Sequence, residues 1–178
     1  MEDIISLENN LAGYFFRVVN ESVLRRSLDI SHEARAYIVL VADRFFGSDM
    51  FHTSEIPLTF RLAEAEGRRE DGAAKLQYIG DECMFLTGYF RPFVARSGSG
   101  QVEYVSAIGA AAYNNVGVIR DQKIFFELAQ KFPEISGIFQ DFHTIRPEGD
   151  FTEEEIRKLA EAFESLKKEK IIYPAGLN

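Results

Sequence analysis

Cysteine and histidine are scarce in this sequence. Cys83 is the one cysteine among 178 residues, so no disulfide can form within the chain. The three histidines, His32, His52 and His143, lie far apart and leave no Cys/His spacing of the kind that holds structural zinc. We therefore expect a protein of a reducing compartment, with no metal site and no cofactor.

Long apolar runs and an excess of basic charge are also missing. No stretch approaches the roughly 20 apolar residues of a membrane-spanning helix. Residues 1–10 carry acids where a signal peptide has basic residues followed by an apolar run. The net charge of −8 at pH 7 would repel nucleic acid and anionic lipid. The sequence therefore predicts a cytoplasmic protein that binds neither nucleic acid nor membrane.

What the sequence does contain is helical periodicity. Strict two-residue alternation is nearly absent, whereas apolar residues recur at spacings of three and four. Hydrophobic residues make up 46% of the chain and charged residues 27%, as in an ordinary globular protein. A chain of this length buries about 70% of its unfolded surface, enough for a core. We predict an all-α bundle of six or seven helices that forms a single domain over residues 1–178.

Capping residues and proline indicate several helix boundaries. Ser31 has the position of an N-cap for the second helix, and Thr152 with Glu155 forms a capping box that begins the last one. Pro133 must kink or divide a helix predicted near residues 121–145. The other predicted helices lie near residues 4–28, 55–66, 76–90 and 102–118, with a loop of at most one helical turn over 91–101. The fourth helix is apolar on two faces and the fifth is rich in small side chains, so both are expected at the centre.

Two aspartates, Asp43 and Asp81, fall on apolar stripes of predicted helices, so burial of both is expected. A buried carboxylate needs a hydrogen-bonded or charged partner. One interpretation is a structural network that ties the 91–101 loop to the bundle; the other is the polar floor of a pocket for a small apolar ligand. The candidate residues for this pocket or interaction site are Asp43, Asp81, Arg91, Arg96, Tyr104 and Tyr113.

Recognised catalytic motifs are absent, including the nucleophile elbow, the Walker loop, His-Glu-x-x-His and Cys-x-x-Cys. Their absence favours a non-catalytic binding or regulatory protein that acts through an apolar pocket or a dimer surface. The alternative is a helical enzyme or a metal-dependent oxygenase of unfamiliar type. The segment Tyr89 to Phe93, with Arg96, combines aromatic and arginine side chains, residue types enriched at interaction hot spots. Residues Tyr89 to Phe93 and the number of apolar helices relative to the chain length together motivate the prediction of a homodimer.

A pattern in the middle of the chain carries a resemblance. It comprises Gly80-Asp81, the segment Phe85-Leu86-x-Gly88-Tyr89-Phe90-x-Pro92, then Tyr104 and residues 109–113. Over about residues 76–115 it is similar to a pattern in an uncharacterised family of bacterial all-helical proteins. The resemblance implies a helical bacterial protein. It implies no activity and no catalytic residue, because none is attached to that family.

Overall fold

The computed structural model describes residues 11–46, 70–149 and 152–171, together with the single positions 57, 60, 61, 63 and 64. Within these ranges the regular structure is helical and no strand occurs, which confirms the all-α class. Eight helices have defined bounds in this part of the chain. They are α1 (Leu11–Arg25), α2 (His32–Phe46), α3 (Glu70–Gly88), α4 (Arg91–Arg96), α5 (Gln101–Arg120), α6 (Lys123–Gln130), α7 (Phe132–Asp141) and α8 (Glu153–Lys168).

Two differences from the prediction raise the number of helices in the described residues above six or seven. The helix predicted over residues 121–145 is divided by Pro133, so α6 ends at Gln130 and α7 begins at Phe132. Residues 91–96, expected to form one turn at most, make the short helix α4. The helix predicted near residues 55–66 lies largely outside the described residues.

Packing divides the chain into two compact units. The first contains residues 1–46 and 144–178, and therefore α1, α2 and α8; the second contains residues 47–143, and therefore α3 to α7. The single domain over residues 1–178 stays a prediction. Within the described ranges, no helix has both the length and the apolar character needed to cross a membrane.

Side-chain caps and one arginine fix the helix ends of the first unit. The Ser31 hydroxyl accepts a hydrogen bond from a first-turn N–H of α2 at 3.1 Å, as its sequence position predicts. Thr152 and Glu155 form the predicted capping box of α8. Arg17 of α1 donates to the carbonyl oxygen of Glu148 at 2.9 Å and pairs with Glu155 at 3.6 Å. The segment before α8 is thereby held on α1.

In the second unit α3 is the central helix, as expected. Every residue of α3 from Ile79 to Gly88 is buried, and α5 and α7 both pack against it. Glycine permits this close packing, because a Cβ atom at Gly88 would lie 2.3 Å from the backbone oxygen of Ser136. The core of this unit is therefore built around one helix whose polar residues have to be accommodated inside it.

Candidate functional site

Asp81 lies in the interior of the second unit beside Tyr113, and both residues have 0% exposure. The Tyr113 hydroxyl donates a hydrogen bond to Oδ1 of Asp81, with 2.6 Å between the two oxygens. The Tyr113 ring lies directly over Gly80, since a Cβ atom there would be 2.6 Å from the ring carbon Cε1. Glycine at position 80 lets the ring reach the carboxylate one residue further along. The pair joins the middle of α3 to α5.

Other buried polar side chains of α3 also bond to neighbouring helices. Arg120 of α5 donates to Oε1 of Gln77 at 2.6 Å and pairs with Glu70 at the start of α3. Near the other end of α3, the Thr87 hydroxyl lies 2.8 Å from the hydroxyl of Ser136 on α7. Polar contacts therefore run along the length of α3 and tie it to α5 and α7. Such contacts are typical of a structural network, because each satisfies a group that burial would otherwise penalise.

Cys83 is fully buried on α3, two residues after Asp81 in the sequence. Burial raises the pKa of the Cys83 thiol well above its ordinary value, and the negative charges of Glu82 and Asp81 raise it further. The thiol therefore stays protonated at neutral pH, and a protonated thiol is neither a nucleophile nor a metal ligand.

We expect Cys83 in the folded chain to react with Ellman's reagent at pH 8 at least about a thousandfold more slowly than in denaturant. Reaction requires opening of the core, which costs several kcal/mol in a stable domain. A Ser99→Cys variant provides the control, because Ser99 is exposed and its replacement should react at the unhindered rate. Equal rates at Cys83 and at the introduced cysteine would contradict the burial of Cys83.

The remaining candidate residues lie at the surface. Asp43 is exposed, so the prediction of its burial is wrong. The stripe that carries Asp43 is buried at Ala36 and Val39, but this burial does not extend to Asp43 in the last turn of α2. Three further candidates are also exposed and do not share the interior location of Asp81. They are Arg91 and Arg96 of α4 and Tyr104 near the start of α5. Of the predicted set, the structure joins Asp81 and Tyr113.

The described residues contain no group of three or more His, Cys, Asp or Glu side chains placed to hold a metal ion. His32 is the first residue of α2, directly after the Ser31 cap. His143 follows α7, where its ring stacks on Tyr89 with centroids 4.1 Å apart and its Nε2 atom lies 2.9 Å from the Tyr89 carbonyl oxygen. His52 lies outside the described residues.

The exposed side of α5 is the feature that sequence reasoning missed. Its small side chains predicted a place in the packed centre, and one side is indeed buried around Gly109 and Tyr113. The opposite side is exposed along the whole helix at alternating spacings of three and four, which place its residues in one line. This line, the α5 stripe, consists of Tyr104, Ala107, Ala111, Asn114 and Val118.

The α5 stripe carries no charge. Its large members are considerably exposed, with Tyr104 at 48% and Val118 at 66%. No Asp, Glu, Lys or Arg occurs between Glu103 and Arg120, although charged residues make up 27% of the chain. That uncharged run was visible in the sequence. It does not reveal which side of the helix is buried, because small and apolar residues occur on every side.

No family model, curated protein or solved structure matches this chain. The resemblance over residues 76–115 therefore stays a prediction, and the function has to be inferred from the geometry of the site itself.

Proposed function

We propose that this protein is a non-catalytic binding or regulatory protein, and that it binds a second copy of itself through the α5 stripe. The observation that carries the proposal is the exposure of Tyr104 and Val118 at the two ends of a helix face without charge. Exposed apolar patches mark sites of protein association more often than isolated apolar residues do. Tyrosine is enriched and charged residues are depleted at the centres of such interfaces.

The location of Asp81 favours a surface over a pocket. A carboxylate that orients a ligand has to line a space that the ligand can enter, whereas Asp81 is enclosed and bonded to Tyr113. This contact supports the structural interpretation of Asp81. It leaves the exposed stripe as the better candidate for a binding site.

The charge of the chain supports the choice of an uncharged face. Two copies with a net charge of −8 each repel one another over most relative orientations. Association therefore requires a face on which no like charges are brought together and desolvated. The α5 stripe meets that requirement over the length of the longest described helix.

Val118→Lys is the variant that tests the proposal. The side chain is 66% exposed, so the folded unit should tolerate lysine. In a dimer formed through the stripe, the ammonium group would be buried without a partner, which costs several kcal/mol. We expect the dissociation constant measured by sedimentation velocity to rise at least about tenfold.

Leu24→Lys is the matched control, since Leu24 is a large apolar residue with 76% exposure on α1. This variant should associate as the wild-type chain does. If both lysine variants weaken association equally, the stripe is not the binding surface. If the wild-type chain stays monomeric at high concentration, self-association itself is refuted.

A further inference from the structure

We infer that the exposed side of α4 is a second binding surface, which takes an acidic segment of another protein through Arg96 and Phe93. The inference goes beyond the proposed self-association, because neither residue belongs to the α5 stripe. The two residues are three positions apart on α4 and therefore lie on the same side of the helix. Arg96 is exposed, and Phe93 has 58% exposure. An aromatic ring beside an arginine is a combination enriched at the hot spots of protein interfaces.

The charge of the segment around α4 is opposite in sign to that of the whole chain. No Asp or Glu occurs between Glu82 and Glu103, whereas Arg91 and Arg96 both lie in that run. Both arginines are exposed, and neither forms an ion pair with a carboxylate of the described residues. Because the chain as a whole has a net charge of −8, this exposed basic surface is a local exception. Charge complementarity therefore indicates a partner group of negative charge.

The Arg96 side chain is held in place by its own helix. Its Nε atom donates to the carbonyl oxygen of Pro92 at 3.1 Å, which restricts the orientation of the guanidinium group. The two Nη atoms make no hydrogen bond within the part of the chain that the structure describes. They form the pair of donors that a carboxylate accepts in a bidentate contact. Because the guanidinium group is already oriented, less side-chain entropy is lost when a carboxylate binds.

These observations favour an acidic peptide segment over the other partners that an arginine and a phenylalanine could bind. A second copy joined about a two-fold axis through α4 would bring the arginines of both copies together, which is unfavourable. Nucleic acid is disfavoured because two arginines neutralise few phosphates and the chain as a whole is acidic. A peptide with an apolar residue next to Asp or Glu matches both side chains: its carboxylate pairs with Arg96 and its apolar group covers Phe93.

A selection from phage-displayed random peptides of about 12 residues tests the inference, with the wild-type chain as the target. Peptides that the wild-type chain retains and Arg96→Gln does not should combine Asp or Glu with a neighbouring aromatic or aliphatic residue. One such peptide, labelled with fluorescein, is then titrated in an anisotropy measurement. We expect its dissociation constant to rise at least about tenfold in Arg96→Gln and at least about fivefold in Phe93→Ala, since each variant removes one of the two contacts.

Arg157→Gln and Leu24→Ala are the matched controls, at an exposed arginine of α8 and an exposed leucine of α1. Both should bind the peptide as the wild-type chain does. Failure to retain any acidic peptide, or equal weakening by the control variants, would overturn the inference. Tighter binding of a single-stranded oligonucleotide of about ten thymidines than of the peptide would also overturn it, because the surface would then be one for nucleic acid.

Discussion

Replacing Gly88 by alanine is expected to lower the free energy of unfolding by about 2–3 kcal/mol. The added Cβ atom would lie 2.3 Å from the backbone oxygen of Ser136 and 2.5 Å from the Cβ atom of Phe139. Neither atom belongs to the flexible end of a side chain, so α3 and α7 have to move apart. Alanine is favoured over glycine in a helix by at most about 1 kcal/mol, which does not offset this clash. Denaturant melts provide the measurement.

Gly117→Ala is the matched control for this prediction. A Cβ atom at Gly117 would meet the ring of Phe126 at 3.0 Å, and that half-buried ring can rotate away. Gly117→Ala should therefore lower the free energy of unfolding by less than half as much as Gly88→Ala does. Equal losses, or an increase in stability for Gly88→Ala, would show that α3 and α7 are not packed as closely as described.

Breaking the Asp81–Tyr113 contact is expected to destabilise the second unit. Asp81→Asn removes the charge and weakens the bond from the Tyr113 hydroxyl, and Tyr113→Phe removes the donor while keeping the ring. Each substitution should lower the free energy of unfolding by about 1–3 kcal/mol, the usual effect of disturbing a buried hydrogen bond to a charged group. Tyr104→Phe, at an exposed tyrosine, should change stability by less than about 0.5 kcal/mol.

The double variant distinguishes a direct contact from two independent effects. If the two groups act on each other, the losses from Asp81→Asn and Tyr113→Phe should fail to add by at least about 0.5 kcal/mol. Unchanged or increased stability in Asp81→Asn would support the pocket hypothesis instead, because residues kept for ligand binding often reduce the stability of the empty protein. Asp81 would then be the first residue to test against small ligands.

Features that depend on local chemistry could be predicted from the sequence. Ser31 and the Thr152–Glu155 box cap helices where their sequence positions indicate, because a cap involves residues only a few positions apart. Pro133 ends a helix for the equally local reason that it clashes with the preceding turn. The burial of Asp81 was also predicted, since α3 is apolar on more than one side and leaves no exposed face for it.

Features that depend on which face meets a neighbour could not be predicted. Asp43 follows an apolar stripe as Asp81 does, yet it is exposed, because the burial of that stripe at Ala36 and Val39 does not extend to the last turn of α2. The small residues of α5 fit a buried helix and an exposed one equally well, and the positions of α3 and α6 decide between them. Hydrophobic periodicity does not contain this information when apolar residues occur on more than one side of a helix.

Sedimentation equilibrium of the wild-type chain over a wide concentration range tests the central claim most directly. If the α5 stripe is a self-association surface, the average mass should rise from 20.2 kDa toward twice that value as the concentration increases. It should level off there, because a two-fold interface closes and adds no third copy. A constant mass of 20.2 kDa at the highest concentration would contradict the account.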